Sequence, residues 1–200
     1  MTMFGQCLDF NKCFLSNTGM GINYKSMNMF EHFAEQKTYF FQCRFSVYAA
    51  MYLAGKEMNH DLVKMDNVFK KLAHIQQAQN DIWDLYGNEK VYGKRGNDIS
   101  QGKFTWLFAK AQEVSNATQL KTIANNYGKE DLDCCKTVES IYDELNLIVE
   151  YFKYKHEHTE DINSKTTEIN DESVAKVFYH CLHFFEIADL MVLQDSIKGY

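Results

Sequence analysis

Apolar residues recur along most of this chain at steps of three and four. Leu72, Ile75, Ala78, Ile82 and Leu85 share one side of a helix, and Gln77, Asp81 and Asp84 share a neighbouring side. Proline is absent, and glycine collects near Gly19 and Gly21, at Gly55, from Gly87 to Gly102 and at Gly128, which predicts long helices separated by a few turns. The pattern places helices at about 28–54, 59–86, 98–114, 117–126, 131–156 and 171–196. Strands find little support, so the predicted fold class is all-α. Polar residues from Thr159 to Asn170 predict a loop between the last two helices. In the first helix Phe30, Phe33, Lys37, Phe41, Arg44, Tyr48 and Tyr52 follow the same steps, which sets Lys37 in an aromatic face. Such a lysine either extends along apolar surface to water or meets an anion.

Composition narrows the class. Two hundred residues, 46% of them hydrophobic, can bury one sizeable core, and residues 1–200 are expected to form a single domain. Net charge is −6 and no cluster of Lys and Arg stands out, so nucleic acid is a poor partner. The longest apolar run, Phe45 to Ala54, is far short of the roughly 20 residues of a membrane span. Six cysteines lack Cys-x-x-Cys spacing and the N-terminus lacks a secretion-signal pattern, so a cytoplasmic chain is expected. The Asn116-Ala117-Thr118 tripeptide then reads as an ordinary polar loop.

Candidate chemistry gathers in one stretch. Asp81 and Asp84 stand one helical turn apart and suit Mg²⁺, which takes hard oxygen ligands and is commonly held by one or two carboxylates plus substrate phosphates. Acids at this spacing are also frequent as a solvated pair. Downstream, Gly93-Lys94-Arg95-Gly96 forms a cationic turn, Asn97 suits an N-cap, and Asp98 suits the first turn of the following helix. Glu130-Asp131-Leu132-Asp133 is better explained as the start of a helix than as a site. The seven histidines show no zinc-type spacing; His156 and His158 point to different sides, and His180 and His183 are expected at the edge of the core.

Several of these segments form a longer ordered match: Gly5-Gln6-Cys7-Leu8-Asp9, Lys37-Thr38, Gln77 to Asp84 with Gly87, Gly93 to Ile99, Lys103-Phe104-Thr105-Trp106, Asn126-Tyr127-Gly128, and Tyr151 with Tyr154. Together they resemble the C-terminal half of farnesyl diphosphate synthases and related prenyl diphosphate synthases. The resemblance implies an antiparallel helical bundle of the isoprenoid synthase type, incomplete at its N-terminal side. It implies Mg²⁺ on Asp81 and Asp84 with Asn80 as a weaker ligand. Lys37 and Thr38 would contact an allylic diphosphate, geranyl or farnesyl; Gln77, Lys94 and Lys103 would join the substrate site. With Lys37 and Thr38, Asp81 would be catalytic, while Gln6, Asp9 and Asp98 would order the metal surroundings. A homodimer, or a heterodimer with a full-length synthase, is the implied assembly.

The implied activity is a prenyltransfer in which isopentenyl diphosphate attacks the allylic cation. Three departures keep a terpene synthase derived from the family in view: Asn80 in place of an aspartate, Gln76 in place of a phenylalanine, and a C-terminal segment Gln194 to Tyr200 without a basic tail. A third reading is a catalytically incomplete fragment or partner subunit.

Overall fold

The computed structural model describes residues 27–56, 61–93 and 96–194. Every regular element among them is helical. In chain order these are α1 (Met27–Ala34), a π-helical segment (Glu35–Phe45), α2 (Ser46–Leu53), α3 (Asp61–Tyr86), α4 (Glu89–Tyr92) and α5 (Asp98–Gln101). They are followed by α6 (Trp106–Val114), α7 (Ala117–Asn126), α8 (Leu132–Glu144), α9 (Leu147–Thr166) and α10 (Glu172–Val192).

Helix α3 is the axis of the bundle. Its apolar side buries Met65, Val68, Phe69, Leu72, Ile75, Ala78 and Ile82, each at most 3% exposed. It packs against the π segment, α9, α6 and α10. Each fully buried Val, Ile or Phe contributes about 1.5–3 kcal/mol, so this one stripe dominates the local energetics. The stripe spans two apolar clusters: one holds Val68, Phe69, Leu72 and Phe178, the other Ile82, Trp106, Tyr142 and Tyr151. The helix ends at Gly87, where a Cβ would stand 2.4 Å from the Trp83 carbonyl oxygen.

A buried charge network fastens α10 to the bundle. Asp189, 3% exposed, accepts from Lys155 Nζ at 2.5 Å and Tyr151 Oη at 2.8 Å on one oxygen, and from Trp83 Nε1 at 2.8 Å on the other. Lys155 also reaches the Phe185 carbonyl at 3.0 Å, and Gln79 Nε2 donates to the same oxygen at 2.8 Å. Buried ions are tolerated when paired and hydrogen-bonded, as both are here.

The first predicted helix is continuous, but its middle eleven residues are π-helical. Up to the end of the π segment the buried positions therefore run Phe30, Ala34, Thr38 and Cys43, the last step being five residues. The predicted aromatic face breaks for this reason, and Phe41 and Tyr52 are exposed. The predicted helix 98–114 is two helices, parted at Gly102 with φ of 65°. The predicted helix 131–156 divides at Asn146, also left-handed with φ of 57°, and α9 then continues to Thr166, so most of the expected 159–170 loop is helix. Asn116 is not merely a loop residue: it caps α7 in a reciprocal box with Gln119. Asp131 caps α8 as expected, accepting from the Asp133 and Cys134 amides. His156 is exposed and His158 buried, as their spacing predicts. His180 and His183 are both exposed rather than at the core edge, because α10 turns Val174, Phe178, Leu182 and Phe185 inward instead.

Candidate functional site

Near the C-terminal end of α3 the main chain comes back twice across its polar side. The first return ends at α5, where the Asn97 and Asp98 amides donate to Asp84 Oδ2 at 2.9 and 3.0 Å. The second ends at α6, where the Trp106 amide donates to Asp81 Oδ2 at 2.8 Å. Asp81 and Asp84 thus meet the amino ends of two helices, where unbonded N–H groups favour a negative charge. Thr105 caps α6 by accepting from the Phe108 amide. Asn97 occupies the cap position of α5, but its side chain makes no cap bond; the cap is supplied by Asp84, and Asn97 Oδ1 instead faces Lys103 Nζ at 3.3 Å.

Gly96 makes the first return possible. A Cβ there would lie 1.7 Å from the Asp84 carbonyl oxygen and 2.8 Å from its Oδ2, so only a bare backbone passes. The second return is closed by a glycine pair, in which a Cβ on Gly102 would meet the Gly128 Cα at 3.0 Å. Asp81, Asp84, Asp98 and Glu130 line a cavity of about 270 Å³ together with Thr105 and Tyr142.

From Asp81 a hydrogen-bond chain runs across to the π segment. Gln77 Nε2 donates to Asp81 Oδ1 at 2.8 Å, and Thr38 Oγ1 donates to Gln77 Oε1 at 3.2 Å. Thr38, Gln77 and Asp81 are all buried. Burial first, and then the nearby Asp98 carboxylate, raise the Asp81 pKa to about 7, while Lys37, the Trp106 amide and Gln77 pull the other way. Lys37 is therefore close enough to Asp81 for its charge to be felt.

The residues expected at a site divide as follows. Lys37, Thr38, Gln77, Asp81, Asp84 and Asp98 come together around the π segment, α3 and α5. Lys103 pairs with Asp98, Nζ to Oδ1, at 2.6 Å. Asn80 turns to α4, its Oδ1 accepting from Tyr92 Oη at 2.8 Å. Gln6, Asp9 and Lys94 lie outside the described residues. Sequence reasoning missed the amide of Trp106 and the bare backbone of Gly96; a threonine before an apolar run at 105–106 is the one local signal for the former.

The donor set is suited to Mg²⁺. Each carboxylate oxygen of Asp81 and Asp84 carries two lone pairs, so the bonds to amides leave acceptor capacity toward the cavity.

A family model described as Polyprenyl synthetase matches residues 1–145. This chain belongs to the polyprenyl synthetase family. It is 30% identical over 183 residues to a farnesyl pyrophosphate synthase of Murgantia histrionica, a match spanning 91% of this chain and 44% of that protein. A chloroplastic monoterpene synthase, FDS-5 of Artemisia spiciformis, is 33% identical over 130 residues, 65% of this chain and 33% of its own length. Among solved structures, T. brucei FPPS in complex with 2-(2,5-dichlorobenzo[b]thiophen-3-yl)acetic acid superposes with a TM-score of 0.84 at 20% identity, covering 92% of this chain and 56% of that one. The fold is thus the all-α bundle of the isoprenoid synthases, and the chain spans less than half the length of the curated relatives it matches. No helix among the described residues is long and apolar enough to cross a membrane.

Proposed function

We propose that this chain forms one wall of a prenyltransferase site of the farnesyl diphosphate synthase type. The reaction is ionisation of an allylic diphosphate, geranyl or farnesyl, followed by condensation with isopentenyl diphosphate. The observation that carries this reading is the pair Asp81 and Asp84, each held by helix amino-end amides and both facing one cavity. Mg²⁺ bound there supplies positive charge to the departing diphosphate. The chain's own contribution is positional: Asp81 and Asp84 hold the ion, Asp98 and its partner Lys103 fix the cavity rim, and Gln77 ties Asp81 to Thr38 beside Lys37. Lys37 and Lys94 neutralise the same headgroup, and Gln6 and Asp9 complete the metal surroundings. Fixed dipoles and charges of this kind lower the barrier because they need no reorganisation as charge develops. The proposed assembly is a homodimer, or a heterodimer with a full-length synthase. Free thiols at Cys43, Cys134, Cys135 and Cys181 accord with a reducing, cytoplasmic setting.

A second reading, a terpene synthase acting on the same allylic diphosphate, is favoured by Asn80: it brings no charge, and its oxygen is engaged by Tyr92. One assay separates the two. The chain, alone and mixed with a full-length synthase, is given geranyl or farnesyl diphosphate and Mg²⁺ with and without isopentenyl diphosphate. Diphosphate release that needs isopentenyl diphosphate and is lost in Asp81→Ala and Asp84→Ala is the expected result. Release without isopentenyl diphosphate selects the terpene synthase. Activity unchanged by both substitutions overturns the metal role.

A further inference from the structure

Away from the acidic cavity, three helices bring together side chains that no single stretch of sequence pairs. Glu31 of α1, His74 of α3 and His158 of α9 each offer one ligand atom, and these atoms lie within 4.8 Å of one another. His74 is 3% exposed and His158 8% exposed. Neither ring nitrogen of His74, nor Nε2 of His158, makes a well-aligned hydrogen bond, the facing carboxylate oxygens of Glu31 and Glu35 lying 3.3 to 3.8 Å away. Buried imidazole nitrogens normally do, so this vacancy of bonding at three atoms requires a reason.

The other contacts narrow it. His158 Nδ1 lies 3.0 Å from the Tyr154 carbonyl oxygen, which can only accept. The ring proton is thereby fixed on Nδ1, and the Nε2 lone pair faces Glu31 Oε1 at 3.3 Å. Two acceptors at that distance repel unless a cation stands between them. His74 Nδ1 is 3.8 Å from the same Glu31 oxygen. A proton on Nε2 of His158 relieves the first contact and leaves His74 unsatisfied; one divalent cation relieves both. The remaining nitrogen, His74 Nε2, points to Glu35 Oε1 at 3.4 Å, the carboxylate–histidine–metal arrangement that orients ligand rings. Tyr154 Oη donates to Glu31 Oε1 at 3.3 Å and steadies the third ligand. Nearby lysines have acids of their own: Lys71 lies 3.9 Å from Asp161 and Lys70 3.7 Å from Glu35.

We propose that Glu31, His74 and His158 form a zinc site, distinct from the magnesium site at Asp81 and Asp84, that ties α1, α3 and α9 together. Zn²⁺ bonds of about 2.0–2.2 Å space tetrahedral ligand atoms roughly 3.3–3.6 Å apart; the His158–Glu31 separation of 3.3 Å lies in that range, and the His74–Glu31 separation of 3.8 Å has to close by a few tenths of an ångström on binding. Two imidazoles and one carboxylate favour zinc over magnesium, which prefers oxygen ligands alone. A water molecule takes the fourth position.

The test is metal content of the untagged full chain after chelation, desalting and exposure to micromolar Zn²⁺, read by mass spectrometry, with Co²⁺ absorption as a measure of coordination. One zinc per chain, unaffected by millimolar Mg²⁺, is expected. His74→Gln and His158→Gln should each abolish stoichiometric uptake, and Glu31→Gln, which replaces one oxygen, should weaken it at least tenfold. The double variant Asp81→Asn with Asp84→Asn should still take up one zinc. No uptake by the unmodified chain overturns the site and leaves a protonated His158–Glu31 pair. Uptake retained in both histidine variants, or lost in the aspartate double variant, overturns it equally.

Discussion

Replacing Asp81 by asparagine should stabilise this protein, and by an amount that depends on pH. The folded chain keeps a proton on Asp81 up to about pH 7, whereas an exposed aspartate releases it near 3.8. Below pH 3.8 both states are protonated. As pH rises the unfolded chain ionises first, so stability falls across the interval and levels off above about pH 7. A difference of about three units, at about 1.4 kcal/mol each, is worth about 4 kcal/mol at pH 8. Asparagine avoids that cost. It still accepts from the Trp106 amide, but it loses one bond to Gln77, whose other end is held by Thr38, a loss of about 1 kcal/mol. Urea denaturation in metal-free buffer should therefore find Asp81→Asn about 3 kcal/mol more stable than the unmodified chain at pH 8, and within about 1 kcal/mol of it at pH 5. A gap that does not change with pH, or a less stable variant at pH 8, would refute the reasoning. The gain in stability belongs with a loss of function, since a carboxylate held at such cost is placed for a cation.

Two further substitutions probe the frame around the site. Asp189→Ala leaves Lys155, Tyr151 and Trp83 without their shared acceptor and should cost about 3–5 kcal/mol in urea denaturation; a loss under about 1 kcal/mol would show that the network is not load-carrying. Gly96→Ala forces the Asn97 and Asp98 amides away from Asp84 and should lower turnover by roughly 100-fold with helical content by circular dichroism unchanged; wild-type turnover would show that their placement does not matter.

The long helices were legible because their apolar stripes are long: α3 and α10 lie within a few residues of the predicted spans. The breaks at Gly102 and Asn146 were not, since the apolar period continues across both and only the backbone reverses hand. The π segment escaped for a related reason. Its burial pattern differs from an α-helix by one residue in a step, which periodicity over a short window does not resolve. At the site, the acids were visible as a pair on one helix, but what holds them was not. The amides of Asn97, Asp98 and Trp106 stand 13 to 25 positions away, and a main-chain N–H leaves no mark in the residue type that carries it. The histidine cluster was invisible to spacing rules because His74 and His158 sit on different helices and meet only after folding.

Main-chain N–H groups are supplied by every amino acid except proline. Since such groups are what pin Asp81 and Asp84, side chains between them and α6 are free to drift over evolutionary time without unseating either carboxylate, wherever space allows a Cβ. Insertions and deletions have no such licence. A change of even one residue in the length of that connection would slide both amide clusters along α3, so the interval between the acids and Trp106 should be kept more strictly than its composition.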